Sequence, residues 1–312
     1  MTLRVAIQMD AIASIDPAIE TTFRLGLEAQ VRGHQLWYYT PDKLSWKNGR
    51  VTARAGRLTL HKDAKRHYTL GKTERLNLQA MEVILLRQDP PFDMSYITTT
   101  YLLEKLHPKT LVVNNPASVR DLPEKLFPIL FKKFMPPTLI SADIEEIKAF
   151  RQEQKDIVIK PLYGHSGRAV FRLKQDDDNF SALMKELFSL HKEPWIIQRY
   201  LPEMKTGERR IIMIDGKFAA IAGRIPPKGA TSANIHAGAK YVKARATQRQ
   251  RDIADAIGPV LKEKGILFAG LDIIGDWLTE INITSPGSLA GIATLYGKKL
   301  EVNFWDAVEG KL

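Results

Sequence analysis

Residues 270–286 read Gly-Leu-Asp-Ile-Ile-Gly-Asp-Trp-Leu-Thr-Glu-Ile-Asn-Ile-Thr-Ser-Pro. Two β-branched runs, 271–274 and 278–284, flank Gly275-Asp276, the pattern of a β-hairpin. Glu280 and Asn282 are two positions apart on the second strand and therefore point to one face. A solvated polar face is the commoner reading of a lone Glu-x-Asn, but these two sit among isoleucines and Asp272 stands on the facing strand. Two carboxylates and an amide oxygen are the ligand set a hard dication such as Mg²⁺ takes, with water and phosphate completing its shell. The geometry makes a demand. A two-residue loop with regular pairing sets Asp272 opposite Thr279 and turns Glu280 away. A three-residue loop through Trp277, or a bulge, sets Asp272 opposite Glu280. The longer turn is the expectation.

The chain around this stretch has 312 residues, enough for two or three domains. Apolar content of 44% and charged content of 26% are ordinary for a globular protein. The absence of cysteine excludes disulfides, thiolate metal sites and a Cys nucleophile, and suits a cytoplasmic location. The N-terminus leads directly into a strand without a signal-peptide pattern, and no apolar run approaches the ~18 residues of a membrane span. A formal charge of +11 calls for anionic partners. Lys and Arg are scattered rather than clustered with aromatics, so nucleic acid is not the expected partner; nucleotide phosphates and carboxylates are.

Strands at 3–9, 35–39, 83–87 and 111–114, with a helix at 21–32, give an N-terminal parallel α/β sheet. Residues 44–71, with the Asn48-Gly49 turn, read as a peripheral hairpin and loop. Prolines 116, 123, 136 and 137 punctuate the exit from this region. A helix starts at Ser141. Strands at 157–160 and 169–173 bracket 161–168, and 181–191 is helical before a strand at 195–199. The clearest hairpin is 209–214, Asp215-Gly216, 217–223. Residues 226–239 lack periodicity and read as a long mobile loop, 247–264 is a helix, and a last helix lies near 305–312.

Several positions carry candidate chemistry. Lys160 ends a strand before a glycine-bearing turn with Gly164 and Gly167, a cradle for phosphate, although a plain hairpin loop is the commoner explanation. It is not a Walker A sequence, and no Rossmann fingerprint occurs. Gln198, Tyr200 and Leu201 close a strand in a way that suits a nucleotide base at a hinge. Arg209 and Arg210 face opposite sides, so at most one enters a site. Arg224 borders the long loop. Asp89 and Asp10 follow strand ends, where open α/β sheets bind ligands. His165 and His236 lie in the two loops as contacts or plain polar residues. No Ser/His/Asp arrangement is present.

The segments 87–93 (Arg-Gln-Asp-Pro-Pro-Phe-Asp), 114–121 (Asn-Asn-Pro-Ala-Ser-Val-Arg-Asp), 124–127 (Glu-Lys-Leu-Phe), 159–162 (Ile-Lys-Pro-Leu), 198–202 (Gln-Arg-Tyr-Leu-Pro) and 270–286 resemble bacterial glutathione synthetase. The resemblance runs nearly the whole chain. It implies the α/β ATP-grasp fold, α+β in its ATP-binding half: an N-terminal pre-ATP-grasp domain (1–122), a central lid domain (123–202) and a C-terminal catalytic and metal domain (203–312), usually as a homotetramer. It implies ATP-dependent ligation of γ-glutamylcysteine to glycine through an acyl phosphate, with Mg²⁺ or Mn²⁺. By the same resemblance ATP lies between two antiparallel sheets, with its base near Gln198, Tyr200 and Leu201 and its ribose at Glu208. Lys125, Lys160, Gly164 and Gly167 meet its phosphates, and Asp272, Glu280 and Asn282 hold the metal. Arg210 and Arg224 stabilise the reacting oxygens, and Asp10, Asp89, Asn234 and Ser285 contact substrate.

The chain also departs from the family pattern. Its phosphate loop has Ser166-Gly167 for Gly-Gly. Its lid segment 229–234 is Gly-Ala-Thr-Ser-Ala-Asn for Gly-Glu-Thr-Arg-x-Asn, and Gly238-Ala239 stands for Gly-Gly. Residues 287–291 are Gly-Ser-Leu-Ala-Gly for Thr-x-Ile-Arg-Glu, and residues 10–12 are Asp-Ala-Ile for Asp-Pro-Ile. Two lost arginines at a carboxylate site weaken binding by about 1–3 kcal/mol each if they made charge-assisted bonds. The alternatives are a paralogue with a different amine acceptor and a catalytically impaired nucleotide-binding member.

Overall fold

The computed structural model describes all residues except 1, 64, 165–166, 191–192, 229–232 and 236–237, and the side chain of Leu190. His165 and His236 therefore lie outside the described residues, as does much of the 226–239 segment. The first part of the chain contains β1 (Arg4–Gln8), α1 (Thr21–Val31), β2 (Gln35–Tyr39), β3 (Leu44–Lys47), β4 (Arg50–Leu60), β5 (Tyr68–Asn77), β6 (Val83–Leu86), α2 (Met94–Glu104), β7 (Leu111–Val113) and α3 (Pro116–Asp121). The buried strands β2, β1, β6 and β7 are parallel neighbours, as their near-continuous apolar runs require. The hairpin expected at Asn48-Gly49 is present as β3 and β4, but residues 44–71 are neither peripheral nor a loop. β3, β4 and β5 pair antiparallel, and β4 joins β2, extending the sheet to seven strands. Val51, Ala53, Ala55, Leu58 and Leu60 alternate inward along β4 and explain the docking. Those apolar residues alternate with arginines and threonines, and the basic character of the stretch masked them in the sequence.

Two antiparallel sheets follow. β8 (Thr138–Ser141), α4 (Ile144–Gln154), β9 (Asp156–Pro161), β10 (Phe171–Lys174), α5 (Phe180–Leu190) and β11 (Trp195–Arg199) form a four-stranded sheet in the order β10-β9-β11-β8 with its helices. The helix expected from Ser141 begins at Ile144 instead. Ser141 closes β8, and Asp143 caps the helix by accepting from the Glu145 N–H at 2.9 Å. β12 (Glu208–Ile214), β13 (Lys217–Ile225), β14 (Lys240–Lys243), α6 (Gln248–Glu263), β15 (Phe268–Ile274) and β16 (Trp277–Asn282) give the five-stranded sheet β14-β13-β12-β15-β16. α7 (Leu289–Tyr296) and α8 (Leu300–Glu309) complete the chain. The last helix thus begins five residues before the expected start, because Leu300 and Phe304 belong to its buried face.

The opening hairpin is the decisive detail, and its turn is the short one. Ile274 pairs with Trp277 across Gly275-Asp276, and Gly275 has φ +58°, the II′ arrangement. The ladder then slips by one residue, so that Ile273 pairs with Leu278 and Asp272 with Glu280. Thr279 is the extra residue of a β-bulge, and its hydroxyl donates to the Asp272 carbonyl at 3.1 Å. The expected longer turn is corrected, while the pairing it was needed for is delivered by the bulge.

The N-terminal sheet and the C-terminal helices share a core. Val5, Ile7 and Leu36 lie in one buried cluster with Ile212, Phe268, Phe304 and Trp305. Trp305 Nε1 donates to the Leu25 carbonyl at 2.8 Å, and Arg24 pairs with Glu301 at 2.6 Å. Buried Asn114 ties the end of β7 to the hairpin strands. It donates to Phe268 O and Ile283 O, both at 2.7 Å, and accepts from Phe268 N at 2.9 Å. These ties fix the loops after β1 and β6 relative to Asp272.

α6 crosses the β12–β13 turn at close range. A Cβ on Gly258 would lie 2.1 Å from the Gly216 carbonyl oxygen, which no rotamer change relieves. Gly258→Ala is therefore expected to destabilise the fold by about 1–3 kcal/mol or somewhat more, read as a lowered urea midpoint at unchanged slope.

Candidate active site

A continuous cleft runs between the two antiparallel sheets and on toward the N-terminal loops. Its first half is lined by Lys125, Lys160, Gly164, Gly167, Glu208, Arg210, Arg224, Asp272, Glu280 and Asn282. The second half shares Arg168, Arg210, Arg224, Asn234, Glu280 and Asn282 with the first and adds Asp10, Asp89 and Ser285. All of the residues singled out for phosphate, metal and substrate thus line one connected space.

Asp272 is its electrostatic centre. It is 4% exposed and stands opposite Arg210 on β12. Arg210 Nε and Nη2 donate to its two oxygens at 2.5 and 2.8 Å, and Arg224 Nη2 approaches at 2.7 Å. Burial alone would raise its pKa, but the two guanidiniums outweigh burial and hold it at about 2. Arg209 points to the other face, as strand alternation requires, and Arg210 is the one that enters. Arg224 also pairs with Glu208, whose carboxyl is pushed upward by burial against the pull of Arg224.

The Asp272 carboxyl titrates below its ordinary 3.8, so its ion pairs stabilise the fold above about pH 4 and that contribution is lost as pH falls toward about 2. The loss amounts to about 2 kcal/mol. Urea unfolding across this range is expected to show it in the wild type and not in Asp272→Asn.

At the lysine-bearing end of the cleft, Lys160 Nζ donates to Gln198 Oε1 at 3.0 Å, and burial pushes its pKa down. Lys125 Nζ donates to the Gly164 carbonyl and lies 3.5 Å from Glu280 Oε1. Gly167 has φ +71°, which a side chain would oppose. Asn282 Nδ2 donates to Gly270 O and Asp272 Oδ2, both at 3.2 Å. Its Oδ1 is left without a hydrogen bond among the described residues.

The donor chemistry of Asp272, Glu280 and Asn282 fits a hard dication: an ionised carboxylate, a second carboxylate beside it and a free amide oxygen. Among the described residues no group of three or more His, Cys, Asp or Glu side chains is placed to hold a metal ion. The set therefore suits a metal that completes its shell with water and phosphate.

Gln198, Tyr200 and Leu201 do not line the cleft. Gln198 and Leu201 are buried, and the Arg172 guanidinium lies 3.6 Å from the Tyr200 ring centroid. Met204, just beyond them, lines the first half. At the far end the Asp89 N–H donates to Asp10 Oδ2 at 2.7 Å, and Ser285 Oγ donates to Arg87 O at 3.4 Å. Burial raises the Asp89 pKa.

Sequence reasoning missed Glu124, Arg168, Met204, Tyr241 and Thr279. Glu124 Oε1 accepts from Ile283 N, Thr284 N and Thr284 Oγ1 at 2.8, 3.0 and 2.7 Å, clamping the hairpin's exit. Its position beside Lys125 was a usable signal. A bulge residue such as Thr279 leaves none. Tyr241 donates to Ser288 Oγ at 2.9 Å, and its ring occupies the space a Gly291 side chain would need.

Comparison with known proteins accords with this geometry. Residues 3–120 match the model for the prokaryotic glutathione synthetase N-terminal domain, and residues 124–297 that for its ATP-grasp domain. The chain is 48% identical to a glutathione synthetase of Mesorhizobium japonicum over 311 residues, covering 100% of this chain and 99% of that one. It is 49% identical to one of Rhodopseudomonas palustris, with the same coverage. D-cycloserine synthetase DcsG superposes with a TM-score of 0.70 at 13% identity, covering 99% of this chain and all of that one, and the ATP-grasp ligase PsnB with 0.63 at 13%. These two likenesses show the fold, which is ATP-grasp. No helix among the described residues is long and apolar enough to cross a membrane. By its two domain matches and its full-length relatives, the chain belongs to the prokaryotic glutathione synthetase family.

Proposed function

We propose that this chain joins glycine to γ-glutamylcysteine, converting ATP to ADP and phosphate. The observation that carries the reading is the convergence of Asp272, Glu280, Asn282, Arg210 and Arg224 between lysines on one side and Asp10, Asp89 and Ser285 on the other. The dipeptide carboxylate attacks the γ-phosphate, and the amine of glycine then displaces phosphate from the acyl phosphate. No enzyme nucleophile is needed, and catalysis rests on positioning and charge. A bound Mg²⁺ would neutralise charge developing between the transferring phosphates. Lys125 and Lys160 bind those phosphates, with Gly164 and Gly167 allowing close backbone approach. Glu208 takes the ribose, and the base lies at the Met204 end of the cleft, the end toward Gln198, Tyr200 and Leu201. Arg210 and Arg224 hold the acyl-phosphate and tetrahedral oxygens. Asp10, Asp89, Asn234 and Ser285 hold the substrates.

The division into 1–122, 123–202 and 203–312, a homotetrameric assembly, Mg²⁺ or Mn²⁺ as the metal and a cytoplasmic location belong to the same proposal. ADP release measured with each substrate omitted in turn tests it. Release requiring both γ-glutamylcysteine and glycine is the expected result, and a different required amine would instead favour a paralogue with another acceptor.

A further inference from the structure

The cations lining the cleft are nearly all committed within the protein. Arg210 and Arg224 are bound to Asp272, and Arg224 also to Glu208. Lys160 donates to Gln198 and Lys125 to Gly164. Arg87 is buried, with Nε on Thr22 Oγ1 and Nη2 on Pro286 O, both at 3.0 Å. Arg168 alone among these residues is exposed and makes no hydrogen bond or ion pair with a described residue. It lines both halves of the cleft, at the junction where phosphate and substrate meet.

What else borders the second half sharpens its role. Asp10, Glu20, Asp89 and Glu124 all line it, a wall that attracts ammonium groups and repels carboxylates. Neither 229–234 nor 284–296 contains a lysine or arginine. An amino acid attacking an acyl group held by Arg210 and Arg224 must place its nitrogen at the junction. Its carboxylate then lies only one carbon further on, and it needs a cation there.

We propose, resting on the ligase reading above, that Arg168 binds the carboxylate of the acceptor amino acid. The guanidinium supplies a fork of donors matched to a carboxylate, from the phosphate loop rather than from the two segments that lack basic residues. Arg168 thereby selects an α-amino acid over a simple amine.

The test compares glycine with glycinamide, which keeps the amine and lacks the charge, at saturating ATP and γ-glutamylcysteine. Arg168→Ala is expected to lower kcat/KM for glycine by about 10- to 100-fold, with glycinamide and the KM for ATP essentially unchanged. Arg168→Lys is expected to recover part of the loss. Equal losses with both amines would overturn the proposal, as would a raised KM for ATP with the glycine-to-glycinamide ratio intact. Wild-type protein that turns over with neither amine would refute the ligase reading itself, a result distinct from either.

Discussion

Replacing Asp272 with asparagine is expected to lower ligase turnover by about 100- to 1,000-fold and to weaken the fold as well. The carboxylate faces two guanidiniums at 2.5–2.8 Å in a site only 4% exposed. Removing this carboxylate leaves the buried Arg210 without its ion-pair partner, while Arg224 keeps Glu208, at a cost of about 3–5 kcal/mol. Asparagine keeps the shape and one acceptor, so the loss reports charge rather than volume. The two consequences separate by measurement. Thermal unfolding reads the ion pairs, and Mn²⁺ binding in the presence of a non-hydrolysable ATP analogue reads the metal. A lowered unfolding temperature with unchanged Mn²⁺ affinity would remove Asp272 from the metal set and leave it a structural anion for Arg210 and Arg224.

The second large effect is expected at Arg210. Its side chain lies flat across β15 because residue 270 is glycine; a Cβ there would meet its Nη1 at 2.8 Å and its Cδ at 2.9 Å. The fork is therefore held by sheet geometry as well as by Asp272. Arg210→Met is expected to lower kcat by about 100- to 1,000-fold with little change in the KM for ATP, because the interaction strengthens as charge develops on the reacting oxygens. Arg210→Lys keeps the charge and loses the fork, so it falls between. A raised KM for ATP at unchanged kcat would assign Arg210 to ground-state nucleotide binding instead.

Much of this arrangement was legible in the sequence because strand periodicity carries it. Glu280 and Asn282 had to share a face, and only one of Arg209 and Arg210 could enter the cleft. The demand that Asp272 oppose Glu280 was also legible, but the means was not. A bulge at Thr279 has no composition signal, and Gly275-Asp276 alone specifies a short turn. Residues 44–71 misled for a related reason. Arginines and threonines on the solvent face of β4 conceal the apolar alternation that docks it on β2. The cleft's second half is built from many separated segments between Asp10 and Ser288, so Glu124, Arg168 and Tyr241 meet there only through tertiary packing. Buried ties such as Asn114 to Phe268 and Ile283, which set the distance between the N-terminal loops and the hairpin, likewise appear only once the chain is folded.

In the proposed reaction a dipeptide carboxylate attacks the γ-phosphate beside Asp272, Arg210 and Arg224. γ-Glutamylcysteine carrying ¹⁸O in its cysteinyl carboxylate tests this directly. With ATP and glycine, one labelled oxygen is expected to leave in the inorganic phosphate as the peptide bond forms. Glutathione formation with phosphate free of ¹⁸O would contradict the acyl-phosphate route, and with it the role assigned to the two arginines.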